Sequence, residues 1–311
     1  MIISASRRTD IPAFYSEWFI DRIKAGYVLV PNPRNPKQVS KINLSPDVID
    51  GIVFWTKNPA PMLKYLPELA DYMYYFQFTL TPYGKDLEPA LPSKTDELIQ
   101  TFKTLATTIG KNRVIWRYDP ILINDKYTTD YHLHAFKKIA DELKGSTKKV
   151  VISFIDTHYK NVKANQEGLN LLEINEKQKL ELAGKLVKIA EKRGLTVESC
   201  SSDLPLQPLG INPARCIDGR LFEQLLDCGI KQEKDKNQRE ACGCMSSIDI
   251  GIYNTCGHGC KYCYANYNQG IVAKNLALHD VASPLLIGQL REDAKITERT
   301  MISLKENRLL L

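Results

Sequence analysis

Cys256, Cys260 and Cys263 lie in the run Tyr253-Asn254-Thr255-Cys256-Gly257-His258-Gly259-Cys260-Lys261-Tyr262-Cys263-Tyr264. The spacing is C-x3-C-x2-C, with an aromatic residue directly before the last cysteine. Three thiolates this close can hold three corners of a [4Fe–4S] cluster and leave the fourth iron open. Structural clusters and structural zinc ordinarily take four protein ligands. A triple therefore points to a site that binds something else at its open corner. The competing reading is a closed zinc or iron–sulfur site that staples the C-terminal region, with a more distant cysteine as fourth ligand. His258 is too close to the neighbouring cysteines to join them easily and reads as a surface residue.

Other polar residues gather where short apolar runs stop. Ser6-Arg7-Arg8-Thr9-Asp10 follows the first run, and Thr56-Lys57-Asn58 follows Phe54-Trp55. Later runs end in Thr79 and Thr81, in Arg117-Tyr118-Asp119, in Ser153 and Asp156, and in Cys200. Lys57 is suited to a substrate carboxylate or phosphate, or else is a lysine snorkelling at a rim. Arg117 and Asp119 form either an ion pair or part of a substrate pocket. Arg7 and Arg8 can pair with Asp10. Both point the same way only if the strand has already ended, because successive strand residues face opposite sides. His132 and His134, two apart in a helical pattern, do not share a face and make a poor metal site. No phosphate-binding glycine loop is present.

These residues need a scaffold that brings strand ends together. Strands are expected at Ile2–Ser6, Gly51–Thr56, Tyr74–Thr81, Arg113–Tyr118, Lys149–Ile155, Thr196–Cys200 and Ser247–Tyr253. Helices are expected from Ser93 to about Ile109, from Thr129 to Leu143, and from an Asn175/Gln178 capping box to near Gly194. Strand–helix alternation argues for a parallel sheet. Polar residues at six or seven strand ends favour a partial or full (β/α) barrel over an open doubly wound sheet. The 311 residues, 43% of them hydrophobic, suit one such domain over 1–311, with the cysteine loop at about 242–268. Lys231 to Arg239 reads as a polar surface loop, and Tyr27–Pro36 as an extra extended piece. The net charge of +6 is too mild and too dispersed for a basic nucleic-acid arm. No apolar run is long enough to span a membrane, and the N-terminus lacks the order of a secretory signal, so a cytoplasmic location is expected.

The strand–cysteine loop–helix arrangement resembles the cluster loop of radical S-adenosylmethionine (SAM) enzymes. The resemblance implies that the open iron binds the amino and carboxylate groups of SAM. An electron from the cluster would then cleave SAM to a 5′-deoxyadenosyl radical. Those enzymes carry the loop after their first barrel strand, whereas here it follows the last one. The resemblance therefore implies a circularly permuted strand order, with Ser247–Tyr253 as the usual first strand and Ile2–Ser6 as the usual second. The SAM-binding motif expected there is replaced by Ser6-Arg7-Arg8-Thr9-Asp10, in which Asp10 suits the amino group and Arg7 or Arg8 the carboxylate. Thr56, Lys57, Asn58, Arg117 and Asp119 complete the expected cofactor and substrate pocket. At full length the chain also resembles the DUF1848 family. That resemblance rests on Ser6 to Pro12, Phe54 to Pro59, Trp116 to Pro120 and Cys256 to Ala265.

Many radical SAM enzymes hold a second cluster, and the remaining cysteines offer ligands for one. Cys200, Cys216, Cys242 and Cys244 are the candidates, with zinc or free thiols as alternatives. Cys228 reads as a buried apolar thiol. The resemblance implies an electron donor such as a flavodoxin or ferredoxin, and an unknown polar small molecule or nucleotide as substrate. Two other classes stay open: an iron–sulfur or redox-sensing protein that never meets SAM, and a nucleic-acid-modifying or repair enzyme, since spore photoproduct lyase is a radical SAM enzyme acting on DNA.

Overall fold

The computed structural model describes residues 1–164 and 166–306. The last five residues of the expected domain, 307–311, lie outside the described residues. Eight strands form one sheet. In spatial order they are Ile248–Asp249, Ile2–Ala5, Gly51–Thr56, Tyr74–Thr79, Val114–Ile121, Lys149–Phe154, Thr196–Ser199 and Asn212–Pro213. Every neighbouring pair is parallel. All eight strands therefore end at one edge, and the polar residues that follow them share it. The order never reverses, so the sheet lacks the switch point of a doubly wound fold. The last of these strands in the chain stands beside the first, with Ile3 opposite Ile248 and Ser4 opposite Asp249. Among the described residues no strand pairing joins the two outer strands, so the sheet is not closed into a full barrel.

The alternation of side chains divides this sheet into two faces. On one face Ile3, Ile52, Phe54, Phe76, Phe78, Trp116 and Val150 meet the helices Ser16–Ala25, Ile99–Ile109, Thr129–Glu142 and Glu176–Glu191. Phe54 stacks on Phe76 at 4.8 Å, and Trp116 stacks on Phe136 at the same distance. Each such side chain contributes roughly 1.5–3 kcal/mol on leaving water. The Asn175/Gln178 capping box is present and opens the Glu176–Glu191 helix.

The opposite face is mixed. It carries Ser4, Val53, Trp55, Tyr75, Gln77, Ile115, Arg117 and Val151, as the strand registers dictate. A segment from Ala214 to Met245 covers it, packing Cys216, Ile217, Phe222, Ile230 and Met245 on Ile2, Val53, Tyr75 and Ile115. Gly51 makes this possible: a Cβ there would stand 2.0 Å from the Phe222 ring. Gly51→Val is therefore expected to lower stability by about 1–3 kcal/mol or more through overpacking, measured by urea unfolding.

One sequence expectation is corrected here, and two gain detail. The Ser247–Tyr253 strand shrinks to Ile248–Asp249. Its backbone turns away because the Asp249 carboxylate captures the Gly251 N–H at 3.0 Å. Tyr27–Asn32 is a strand, but it belongs to a separate three-stranded sheet with Asn35–Asn43 and Lys295–Glu298. The Lys231–Arg239 stretch is mostly exposed, yet Asp235 is buried. Among the described residues no helix is long and apolar enough to cross a membrane.

Candidate functional site

Asp249 ties the last strand of the sheet to the first. Its carboxylate accepts from Ser4 Oγ at 2.9 Å, from the Arg7 N–H at 2.8 Å and from Ser6 Oγ. A Cβ on Gly251 would collide with Ser6 Oγ at 2.1 Å, so only glycine lets the chain leave Asp249 at this angle. The cysteine loop that follows is held by side chains bonded to its carbonyls. Asn266 Nδ2 donates to Cys256 O at 2.6 Å, Tyr15 OH donates to Thr255 O, and Asn275 Nδ2 donates to Asn254 O at 2.9 Å.

Asp10 fixes the loop from below. One carboxylate oxygen caps the Ile11–Phe14 helix, accepting from the Ala13 N–H at 3.0 Å. The other accepts from the Lys57 N–H and from His258 Nε2, both at 2.7 Å. His258 is thus a buried strut rather than a surface residue, packed edge-on against Phe14. Its Nδ1 is buried without a partner. Asp10 spends both oxygens inside the protein. Asp10→Ala is expected to cost about 2–4 kcal/mol, the sum of a lost cap and a lost charge-assisted bond to a buried imidazole. Thermal unfolding measures this, and Asp10→Asn should recover part of it.

Beside the loop lies a buried ionic network. Glu88 is fully buried and accepts from Lys57 Nζ at 2.7 Å, Thr81 Oγ1 at 2.8 Å, Tyr262 OH and Lys94 Nζ. Lys57 Nζ also reaches Tyr262 OH at 2.9 Å. The aromatic residue before the third cysteine therefore hooks the loop onto Lys57 and Glu88. Burial alone would raise the Glu88 carboxyl, but Lys57 and Lys94 outweigh it and hold it down at about 2. Two ammonium groups on one carboxylate leave one positive charge in excess next to Cys260. The thiols feel burial most. Cys256 and Cys263 are pushed above the ordinary thiol range and Cys260 up to about 12, with Lys57 and Lys94 opposing the rise at Cys260.

The remaining residues expected in the pocket are used locally. Thr56 Oγ1 accepts from the Asn58 N–H at 3.0 Å, and Asn58 Oδ1 accepts from the Ala60 N–H at 3.2 Å. Arg8 donates to Gly251 O at 3.3 Å and lies over the Tyr253 ring, so it pairs with the last strand and not with Asp10. Arg7 and Arg117 lie over the Trp55 indole, at 5.6 and 5.3 Å from its centroid. Arg117 pairs with Asp119, which also accepts from Ser153 Oγ. His132 is buried against Tyr118, and burial lowers it to about 4.

Arg7 and Arg117 also face the other cysteines. Arg117 Nη1 donates to Cys216 Sγ at 2.8 Å, and Cys200 Sγ lies 3.5 Å from Cys216 Sγ. Cys244 Sγ accepts from the Ile217 N–H at 3.4 Å and interacts electrostatically with Cys216 and Cys242. Cys200, Cys216, Cys242 and Cys244 are thus brought together, whereas Cys228 is partly buried elsewhere in the covering segment. No disulfide links the eight cysteines. Among the described residues no three His, Cys, Asp or Glu side chains already surround a point suited to a single metal ion. The three-cysteine loop nonetheless carries a donor set that fits a thiophilic group: three sulfurs close enough to interact electrostatically, with an adjacent excess of positive charge.

Sequence reasoning missed Glu88, Lys94 and Asp249 as partners. Glu88 lies outside any periodic pattern, Lys94 reads as an ordinary first-turn residue of the helix that Ser93 caps, and Asp249 reads as an ordinary polar residue of an alternating strand. No curated protein matches this chain. A family model described as a domain of unknown function, DUF1848, matches residues 2–265, a span that takes in the sheet, the Ala214–Met245 segment and all eight cysteines. The chain therefore belongs to the DUF1848 family.

Proposed function

We propose that this protein is an iron–sulfur enzyme of the radical SAM type, acting on a polar substrate. The observation that carries the reading is the cysteine loop itself. Its three thiols, Cys260 buried and Cys256 and Cys263 half-buried, follow the edge where all strands end, beside the Lys57–Glu88–Lys94 network. Cys256, Cys260 and Cys263 would hold a [4Fe–4S] cluster, which when bound supplies the electron that reductively cleaves SAM. Lys57 and Lys94 offset the thiolate charge in a site that has little water. Asp10 and His258 fix the loop relative to the Lys57 backbone, and Tyr262 fixes it relative to the lysine side chain. The unreversed strand order supports a partial barrel with permuted connectivity, in which the last strand takes the place of the usual first. The cluster chemistry needs a low-potential donor such as a flavodoxin or ferredoxin, and eight cysteines without a disulfide suit a reducing compartment such as the cytoplasm. The substrate is a small polar molecule or a nucleotide.

A second reading has its own observation. Asp10 and Arg8 are engaged inside the protein, and Arg7 turns toward the other cysteines, so the residues expected to grip SAM are largely committed. That favours an iron–sulfur protein in electron transfer or redox sensing. Anaerobic protein with dithionite and SAM separates the two. The radical SAM reading expects 5′-deoxyadenosine at well above the level of a no-protein control. Its absence from cluster-loaded protein leaves the redox reading.

A further inference from the structure

The Ala214–Met245 segment has little regular structure with which to grip the sheet. It contains one helix, Gly219–Leu226, and a two-residue strand. Between Lys231 and Ala241 it runs mostly through solvent. Its two ends are nevertheless drawn to one point. Cys216 lies at the start, with its carbonyl accepting from Tyr75 OH and Gln77 Nε2, both at 2.8 Å. Cys242 and Cys244 lie at the end, and the Ile217 N–H donates to Cys244 Sγ at 3.4 Å. Cys200, just past the Thr196–Ser199 strand, adds a fourth sulfur from the sheet itself.

Apolar packing of neutral thiols does not explain what surrounds them. Two guanidinium groups, Arg117 buried and Arg7 half-buried, act on these sulfurs electrostatically. Arg117 spends a donor on Cys216 Sγ at 2.8 Å although Asp119 is in reach of its other nitrogen. Arg7 Nη1 is a distant 3.8 Å from Asp235, and its Nη2 is buried without any partner. A neutral thiol is a weak acceptor, whereas a metal-held thiolate is an anion that can satisfy such donors. A divalent ion with four thiolates carries two negative charges, which two arginines match. The Cys200–Cys216 separation of 3.5 Å is near the edge of about 3.8 Å that a tetrahedron with zinc–sulfur bonds of about 2.3 Å requires.

We propose that Cys200, Cys216, Cys242 and Cys244 form a four-thiolate metal centre that clamps both ends of the Ala214–Met245 segment to the sheet, with Arg7 and Arg117 donating to its sulfurs. Cys200 and Cys216 are in sulfur contact, and Cys244 interacts with both Cys216 and Cys242. Loading therefore turns the outer cysteines toward a common point. The site is independent of the three-cysteine loop and of SAM. Its shared chemistry is thiolate coordination, and zinc and an iron–sulfur cluster are the two occupants to distinguish.

The experiment uses the full-length chain carrying Cys256→Ala, Cys260→Ala and Cys263→Ala, purified anaerobically, with zinc, iron and acid-labile sulfide counted per chain. Close to one zinc without sulfide identifies a single ion, and iron with matching sulfide identifies a cluster. Either should fall at least tenfold on adding Cys200→Ala or Cys244→Ala and stay unchanged on adding Cys228→Ala. As a second measurement, stripping metal from otherwise wild-type protein with a strong chelator should speed proteolysis between Lys231 and Arg239 at least tenfold. Wild-type protein serves where the multiple variants do not fold. The proposal is overturned if no metal is retained, if the metal is indifferent to Cys200 and Cys244, or if stripping leaves proteolysis unchanged.

Discussion

Glu88→Ala is expected to destabilise the protein by about 3–5 kcal/mol, because it leaves two half-buried ammonium groups facing each other without their carboxylate. Lys57 and Lys94 both depend on Glu88, and both have little access to water. Their mutual repulsion already lowers Lys94 in the intact network, where burial is the larger cause. The same network sets a pH dependence whose sign is fixed. Glu88 titrates near 4.5 when unfolded and at about 2 when folded, so between those values the unfolded chain binds more protons. Its contribution, roughly 3 kcal/mol, is present above about pH 4.5 and is lost as pH falls toward about 2. Urea unfolding of wild type and Glu88→Gln at pH 7 and pH 3 checks this. The gap between the two should narrow at the lower pH. A gap that does not change with pH would assign the loss to packing instead of charge. Because Tyr262 also bonds to Glu88, the Glu88→Ala variant should loosen the cysteine loop, seen as faster hydrogen exchange at Lys261 to Tyr264.

On the proposed radical SAM reading, Cys260→Ala is expected to abolish cluster assembly at the loop and to lower 5′-deoxyadenosine formation at least a hundredfold. Three ligands already leave one iron open, and two do not retain a cubane against exchange with solvent thiols. Cys260 is the most telling of the three because Lys57 and Lys94 both act on it. The loss should come without unfolding, since trimming the CH2SH side chain to CH3 removes a single heavy atom and little apolar contact. Iron counting, visible absorbance and circular dichroism together separate loss of cluster from loss of fold. Cys228→Ala should leave all three unchanged.

Much of the scaffold was legible because strand ends leave a chemical trace. Ser6, Thr56, Arg117 and Ser153 interrupt apolar runs where a core would not accept them, and these positions do share one edge of the sheet. The capping residues Ser93 and Asn175 announced their helices through local hydrogen bonds that need no tertiary knowledge. The covering segment was not legible. Phe222 looks like an ordinary apolar helix residue, and only its seat on Gly51 shows that it enters the sheet's second face. The roles of the charged residues were the least readable. Lys57, Asp10 and Arg7 were recognised as unusual by position, but their partners Glu88, His258 and the Cys216–Cys244 group lie between 31 and more than 200 positions away in the chain. Pairing over such separations is set by topology, which residue type and spacing do not encode.

The central claim is an open iron that meets SAM, and it is tested most directly by the electron paramagnetic resonance spectrum of the reduced cluster. Protein with an intact Cys256, Cys260 and Cys263 loop is reconstituted anaerobically, reduced, and frozen with and without SAM. Cys200→Ala protein is run in parallel so that any second cluster is silent. Binding of SAM at the open iron should shift the g values of the loop's signal. An identical spectrum with saturating SAM would mean that the loop holds a cluster without binding SAM, and the radical reading would have to be given up.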